Sequence, residues 1–175
     1  MARLPYSNPN DPERAEAAKV VTESRKKIGH LHRMLMHSPP LSIGWIQFWD
    51  AVRRKTHLSG ALRELVICQV AAINGAQYEW QAHAPIGLEE GLRQEQLDAL
   101  PNWADKPALW TAAEAAALGL CDEMTKKVHV ADGTFAKAKA ALPERHVVEL
   151  VVTIASYNCV SRVLEALEIN GADPL

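Results

Sequence analysis

At 175 residues the chain has the length of one compact domain, and its 48% hydrophobic and 23% charged residues are those of an ordinary globular protein. With 19 Lys and Arg against 21 Asp and Glu, the formal net charge of −2 leaves no basic excess to neutralise phosphates, which argues against nucleic-acid partners and a polybasic membrane anchor. The longest apolar run, 147–160, is cut by Glu149, Thr153, Ser156 and Asn158 and falls short of the roughly 20 residues of a spanning helix. The N-terminus lacks the apolar stretch of a signal peptide, so a cytoplasmic protein without membrane partners is expected. Cys68, Cys121 and Cys159 are odd in number and form no CxxC; they predict neither a disulfide framework nor a zinc site, and read as small buried apolar side chains.

In chain order, Pro5, Pro9 and Pro12 forbid a regular helix at the start, so residues 1–11 form an arm lying on the body or on a neighbouring subunit. Asp11 is placed to cap a helix that has Pro12 in its first turn and stops around Gly29. A short helix over 30–38 is expected to end at Pro39-Pro40, and an apolar one follows from Leu41 through Ile43, Trp45, Ile46, Phe48, Trp49 and Val52. Ser59 caps the next helix, which carries Leu62, Leu65, Val66, Val70 and Ile73 and ends at Asn74-Gly75. Another runs from Ala76 to before Gly91, followed by a short amphipathic piece over 94–100 and a linker over 101–107. An alanine-rich helix over 108–124 and a helix over 135–142, capped by Asp132 or Thr134, precede a long one opened by Pro143-Glu144. Nothing reads as a strand. The fold class is all-α, a bundle of about seven or eight helices in a single domain over 1–175.

The stretch most informative about chemistry runs from Arg63 to His83. Glu64 lies ten positions before Asn74 and His83 nine after it, so a fold-back at Asn74-Gly75 brings the two side chains level. Ala76, Glu79, Trp80 and His83 share one helical face. A carboxylate and an imidazole within reach make a proton-transfer pair. Read structurally, the same residues are a helix-start carboxylate and a satisfied core histidine. On the C-terminal helix Asn158 and Arg162 stand one turn apart; Arg162 reads either as a bidentate grip on a substrate carboxylate or as a surface or intersubunit ion pair. His30, His32 and His37 do not share a helical face and have no acidic residue among them, so no metal site is expected.

This stretch resembles the carboxymuconolactone decarboxylase / AhpD-like superfamily of all-helical proteins. The similarity is closest over 63–91 and extends loosely from 33–39 to the Tyr157–Arg162 helix. The AhpD-type motif is a Glu, a Cys twelve residues on, a second Cys three further and a His four after that. Glu64 and His83 hold the outer positions, while Ala76 and Glu79 stand where the cysteines belong. The remaining Tyr78-Glu79-Trp80-x-x-His83 is a thiol-free variant, so the disulfide-cycling peroxidase chemistry of the family is not expected.

The resemblance therefore implies a lyase, decarboxylase or isomerase without cofactor, acting on a small organic acid or lactone. His83 is the expected acid/base, with Glu64 and Glu79 assisting. Tyr78 and Trp80 are expected to wall an apolar pocket that has Glu79 near its mouth, and Asn158 and Arg162 to contact substrate. A non-catalytic binding or structural oligomer is the alternative, and residual peroxide chemistry through Cys68 or Cys121 a third. Relatives imply a homo-oligomer, a trimer or hexamer, consistent with the apolar surplus of Trp45, Phe48, Trp49 and the last helix.

Overall fold

The computed structural model describes residues 1–175, apart from the side chain of Pro101. Nine α-helices and three short 3-10 helices, with no strand, make up the described residues. Two compact units emerge: Met1–Thr56 with Val163–Leu175, and His57–Arg162.

In the first unit, Asp11 accepts a hydrogen bond from the Glu13 amide and a 3-10 turn leads into α1 (Ala15–Arg25). Helix α2 covers His30–Leu35 and α3 covers Pro39–Arg54. Pro39 and Pro40 open α3 rather than merely closing the helix before, because a proline in the first turn forfeits an amide that has no intrahelical partner there. Ala17, Val21, Met36 and Ile46 form the core between these helices. The N-terminal arm lies on its own chain: the Arg3 amide donates to the Leu167 carbonyl at 2.9 Å, Tyr6 donates to Asp173 at 2.8 Å, and Ser7 donates to the Arg33 carbonyl.

The three clustered histidines have separate duties in this unit. His30 Nε2 meets the Asp173 carbonyl and His37 Nε2 the Pro5 carbonyl, each at 2.8 Å. Burial, aided by the Arg25 charge, lowers the His32 pKa to about 4. Of the three aromatics expected to supply surplus surface, Trp49 is buried against Trp45 and Phe48, and only Phe48 is exposed, at 48%.

The second unit is built on the helical hairpin of α4 (Gly60–Asn74) and α5 (Gln77–Glu89). Ser59 caps α4 by accepting from the Leu62 amide at 3.2 Å, and Gly75, with φ +67°, closes it in the left-handed conformation. Helices α6 (Gln94–Ala99), α7 (Ala112–Lys127) and α8 (Asp132–Ala141) follow, and α9 (Glu144–Leu167) ends the fold. The segment expected as a linker forms two 3-10 turns, Leu100–Asp105 and Pro107–Leu109. Helix α7 starts later than its alanines suggest, because Thr111 and Glu114 make a reciprocal capping box. Neither Asp132 nor Thr134 caps α8; Glu123 reaches across from α7 and accepts the Ala131 amide at 2.8 Å.

The sequence pattern understates α9. It is 24 residues long and apolar enough to cross a membrane by length and composition, and 56% of its most apolar stretch is buried within the protein. Thr153 and Ser156 do not interrupt the run, because their hydroxyls donate to the carbonyls of Glu149 and Val152 one turn back.

An added Cβ at Gly75 would meet nothing within 4 Å, so replacing it tests backbone strain alone. Gly75→Ala is expected to lower stability by about 1 kcal/mol, with Gly75→Asn milder; urea unfolding of the two variants checks the order.

Candidate active site

The Asn74-Gly75 reversal returns α5 along α4 and brings Glu64 and His83 together. His83 Nδ1 lies 2.6 Å from Glu64 Oε2. Gly87, one turn beyond His83, faces the Glu64 Cβ, and a Cβ built there would lie 3.6 Å from it and 2.9 Å from Leu92 Cδ1. Small size at that position lets the helices approach at the level of the pair. Glu64 is wholly buried, and His83 and Glu79 are each 5% exposed.

Burial opposes the Glu64 charge, but hydrogen bonding and attraction from His83, then from Arg63, outweigh it and hold the carboxyl below its ordinary value. Arg63 Nε donates to Glu64 Oε1 at 3.0 Å. An ionised carboxylate can only accept, so Nδ1 of His83 carries the proton toward Glu64. This leaves Nε2 as the exchangeable ring nitrogen. Glu79 Oε2 lies 3.5 Å from it, and the Tyr157 hydroxyl 3.3 Å. The Tyr157 ring meets the imidazole edge-on, with centroids 5.0 Å apart and planes at 88°. One imidazole thus links two carboxylates and a phenol contributed by α4, α5 and α9.

Not every residue singled out in the sequence joins this group. Asn158 is engaged elsewhere: it accepts from Asn74 Nδ2 at 3.1 Å and donates to Thr125 Oγ1 at 2.9 Å. Arg162 turns back along α9 to the Asn158 carbonyl and side-chain oxygen at 2.8 and 2.7 Å. The pair forms a polar joint between α4, α7 and α9, and Tyr157, one residue earlier, is what α9 presents to His83. Glu79 is buried rather than placed at an open mouth, and Tyr78 and Trp80 are half-buried. Tyr78 is five residues from His83, which puts it on a different face of α5.

Tyr157 is the member that sequence reasoning missed, although a signal existed. Val147, Leu150, Ile154, Tyr157 and Leu164 form one buried stripe of α9, and a tyrosine in such a stripe needs a polar partner for its hydroxyl. Two of the three thiols, Cys68 and Cys121, are buried. Burial, then the charges of Glu64 and Glu79, pushes Cys68 up to about 12, and burial raises Cys121 as well. Among the described residues no three His, Cys, Asp or Glu side chains are grouped to hold a metal ion.

Residues 39–123 match the carboxymuconolactone decarboxylase family, a span that contains Glu64, Glu79 and His83. Over that span the chain is similar to the carboxymuconolactone decarboxylase family. No curated protein matches its sequence. Solved structures agree on the fold. An uncharacterised peroxidase-related protein with an alkylhydroperoxidase AhpD core, from Ralstonia eutropha JMP134, is 17% identical with TM-score 0.79, covering 99% of this chain and 93% of its own. A peroxidase-related protein from Silicibacter sp. TM1040 is 16% identical with TM-score 0.78, covering 96% and 89%. A variant of the debrominase Bmp8, in complex with 2,3,4-tribromopyrrole, is 14% identical with TM-score 0.77, covering 95% and 89%. At these identities the likeness is one of fold.

Two outcomes follow. Because Glu64 is held below its ordinary value of 4.5, its charge stabilises the fold above that pH, and the contribution is lost as pH falls through the lower folded value. Glu64→Gln should therefore cost about 1–3 kcal/mol near neutrality, and its deficit relative to wild type should shrink on acidification below the ordinary carboxylate range; denaturation at pH 7 and in mild acid checks both. In addition, buried Cys68 and Cys121 should remain unlabelled by iodoacetamide at neutral pH until the protein unfolds, as peptide mass mapping would show.

Proposed function

We propose that the protein is a thiol-free acid–base catalyst, a cofactor-independent lyase, decarboxylase or isomerase acting on a small organic acid or lactone. The observation that carries this reading is the buried imidazole between two carboxylates, hydrogen-bonded to Glu64 through Nδ1 and facing Glu79 through Nε2. Glu64 fixes the ring and its tautomer, as a carboxylate behind a histidine does in general-base catalysis. Of the three, His83 and Glu79 retain slight exposure whereas Glu64 has none, so substrate meets the Nε2 side.

For an isomerisation, Nε2 removes a proton from the carbon beside a carbonyl, the electron pair of that C–H bond moves onto the carbonyl oxygen as an enolate, and the Nε2 proton, after exchange with solvent, is delivered to another carbon. For a decarboxylation, the C–CO2 bond breaks, its electron pair forms the enolate, and protonated Nε2 supplies the proton to carbon. Neither route needs an electron carrier. The fold neighbour bound to 2,3,4-tribromopyrrole is consistent with a small planar ring as ligand.

A second reading, a non-catalytic binding or structural oligomer, draws on the near-complete closure of the site, with His83 and Glu79 only 5% exposed. Residual peroxidase chemistry ranks last, since the raised Cys68 thiol supplies almost no thiolate.

Incubation with a panel of small lactones and 3-oxo acids in D2O, followed by NMR, separates the first two. Catalysis gives solvent deuterium on carbon or loss of CO2. His83→Ala should abolish it with the fold intact, Glu79→Gln should slow it by about 10²-fold or more, and Glu64→Gln should reduce it less than His83→Ala. Inert wild-type protein across the panel would favour the binding reading.

We also propose a homo-oligomer, trimer or hexamer. The surplus apolar surface lies on α9, where Val148 and Val152 are 63% and 39% exposed and Ala155 and Cys159 continue the same exposed stripe at 4-3-4 spacing. Light scattering at micromolar concentration should give a multiple of the 19.3 kDa chain mass, and Val148→Glu with Val152→Glu should reduce it to the monomer.

A further inference from the structure

We propose that Arg63 and Glu90 are positioning residues of this site, and that the exposed Glu90 carboxylate sets how strongly Glu64 holds the imidazole of His83. The inference rests on the acid–base reading above and extends it to two residues that do not meet the substrate.

Glu64 divides its two oxygens between two partners. Oε2 accepts from His83 Nδ1 at 2.6 Å, and Oε1 accepts from Arg63 Nε at 3.0 Å. The side chain is wholly buried, so these bonds replace the water that would otherwise share its charge. The two bonds compete. Charge drawn toward the guanidinium is not offered to the Nδ1 proton, and a carboxylate less available to Nδ1–H leaves Nε2 a weaker base.

Arg63 is itself divided. Its Nη2 donates to Glu90 Oε1 at 3.3 Å, and the Arg63 side chain is 14% exposed where that of Glu90 is 42% exposed. A guanidinium holds two carboxylates at once through separate N–H groups. Glu90 therefore takes part of the positive charge that Glu64 would otherwise have alone. From surface to site the series is carboxylate, guanidinium, carboxylate, imidazole, each in contact with the next. The other titratable groups facing the ring are Cys68 on α4, Glu79 on α5 and Tyr157 on α9. They lie outside this series, and the effect of Glu90 on His83 runs through Arg63 and Glu64 whatever else those groups contact.

For the reaction proposed, the series sets the strength of the base. Nε2 takes a proton from the carbon beside a carbonyl, and the C–H electron pair moves onto the carbonyl oxygen. Nδ1 keeps its own proton, and Glu64 stays ionised and strengthens its bond to the imidazolium. A carboxylate that Arg63 neutralises too fully stabilises that imidazolium less. With Glu90 in place, Glu64 keeps more of its charge for the ring at the moment the ring becomes cationic.

Gly60 offers a way to move Glu90 without altering any charge. A Cβ at Gly60 would coincide with the Glu90 carboxylate. The obstacle is the far end of a flexible, partly exposed side chain, so alanine at the first position of α4 is accommodated by turning Glu90 away from Arg63.

The test follows the Nδ1 proton of His83 in full-length protein labelled with 15N-histidine, a resonance that moves downfield as its hydrogen bond to Glu64 strengthens. Glu90→Gln should move it upfield. Gly60→Ala should move it the same way, and the double variant no further than the larger of the two. Glu89→Gln, which removes the exposed carboxylate next door, should leave it in place. Arg63→Gln should move it downfield and make Glu90→Gln silent; if that variant fails to fold around the buried Glu64, the Glu90 and Gly60 variants decide. In deuterium exchange into a lactone, kcat should fall about twofold or more in Glu90→Gln and in Gly60→Ala with KM unchanged. A resonance indifferent to Glu90→Gln, or shifts from Glu90→Gln and Gly60→Ala that add in the double variant, overturns the proposal. Exchange at the wild-type rate in Glu90→Gln also overturns it, yet leaves the acid–base reading standing. That reading is overturned instead by exchange that persists in His83→Ala, and the resonances then decide by themselves whether Glu90 acts on His83.

Discussion

The placement of one carboxylate, Glu64, governs this half of the protein. An ionised side chain with no exposure is sustainable only where opposite charge and hydrogen bonds replace the water it has lost. Glu64 obtains these from two directions: His83 across the hairpin and Arg63 from its own helix. Arg63 in turn reaches Glu90, just past the end of α5, and the Glu90 carboxylate lies where a Cβ on Gly60 would fall. The first turn of α4 and both the middle and the end of α5 are therefore joined through one chain of charges. A slip of the hairpin by one residue would leave Glu64 buried without His83, so the demand for compensation sets the register as firmly as the apolar contacts do.

The same local charge acts against a thiolate at Cys68. The carboxylates of Glu64 and Glu79 both oppose a thiolate at Cys68. Cys68, one turn from Glu64, feels both carboxylates in addition to its burial, and each cause raises its pKa. Glu79 is at once a partner of His83 and an obstacle to a thiolate. That charge is coherent with the absence of cysteine at Ala76 and Glu79.

Much of the hairpin was legible in the sequence because local rules determine it. Ser59 caps, Gly75 takes the left-handed turn, and counting outward from that turn puts Glu64 opposite His83. Where sequence reading went astray, a distant partner had replaced a local one. The start of α8 is satisfied by Glu123 from another helix and not by Asp132 or Thr134, and a capping box shortens α7 at a point where alanine content favours continuation. Asn158 and Arg162 were attractive as substrate ligands because their chemistry suits that role. Nothing local indicates that Asn74 and Thr125 occupy Asn158, or that Arg162 bonds back to its own helix.

Helix α9 shows why a helix apolar on most sides resists reading by periodicity. Three requirements share its circumference. One face carries Leu150, Ile154 and Tyr157 inward, and there the phenol satisfies its hydroxyl on His83. A second carries Asn158 toward Asn74 and Thr125, fastening the helix by polar contacts. A third leaves Val148, Val152, Ala155 and Cys159 exposed in a continuous line. An amphipathic helix would signal a single buried side, whereas three superposed patterns cancel and leave only high average hydrophobicity. Placing Tyr157 and Asn158 in adjacent positions, about 100° apart around the helix, gives one residue to the site and the next to its support, a division that a contact partner reveals and composition does not.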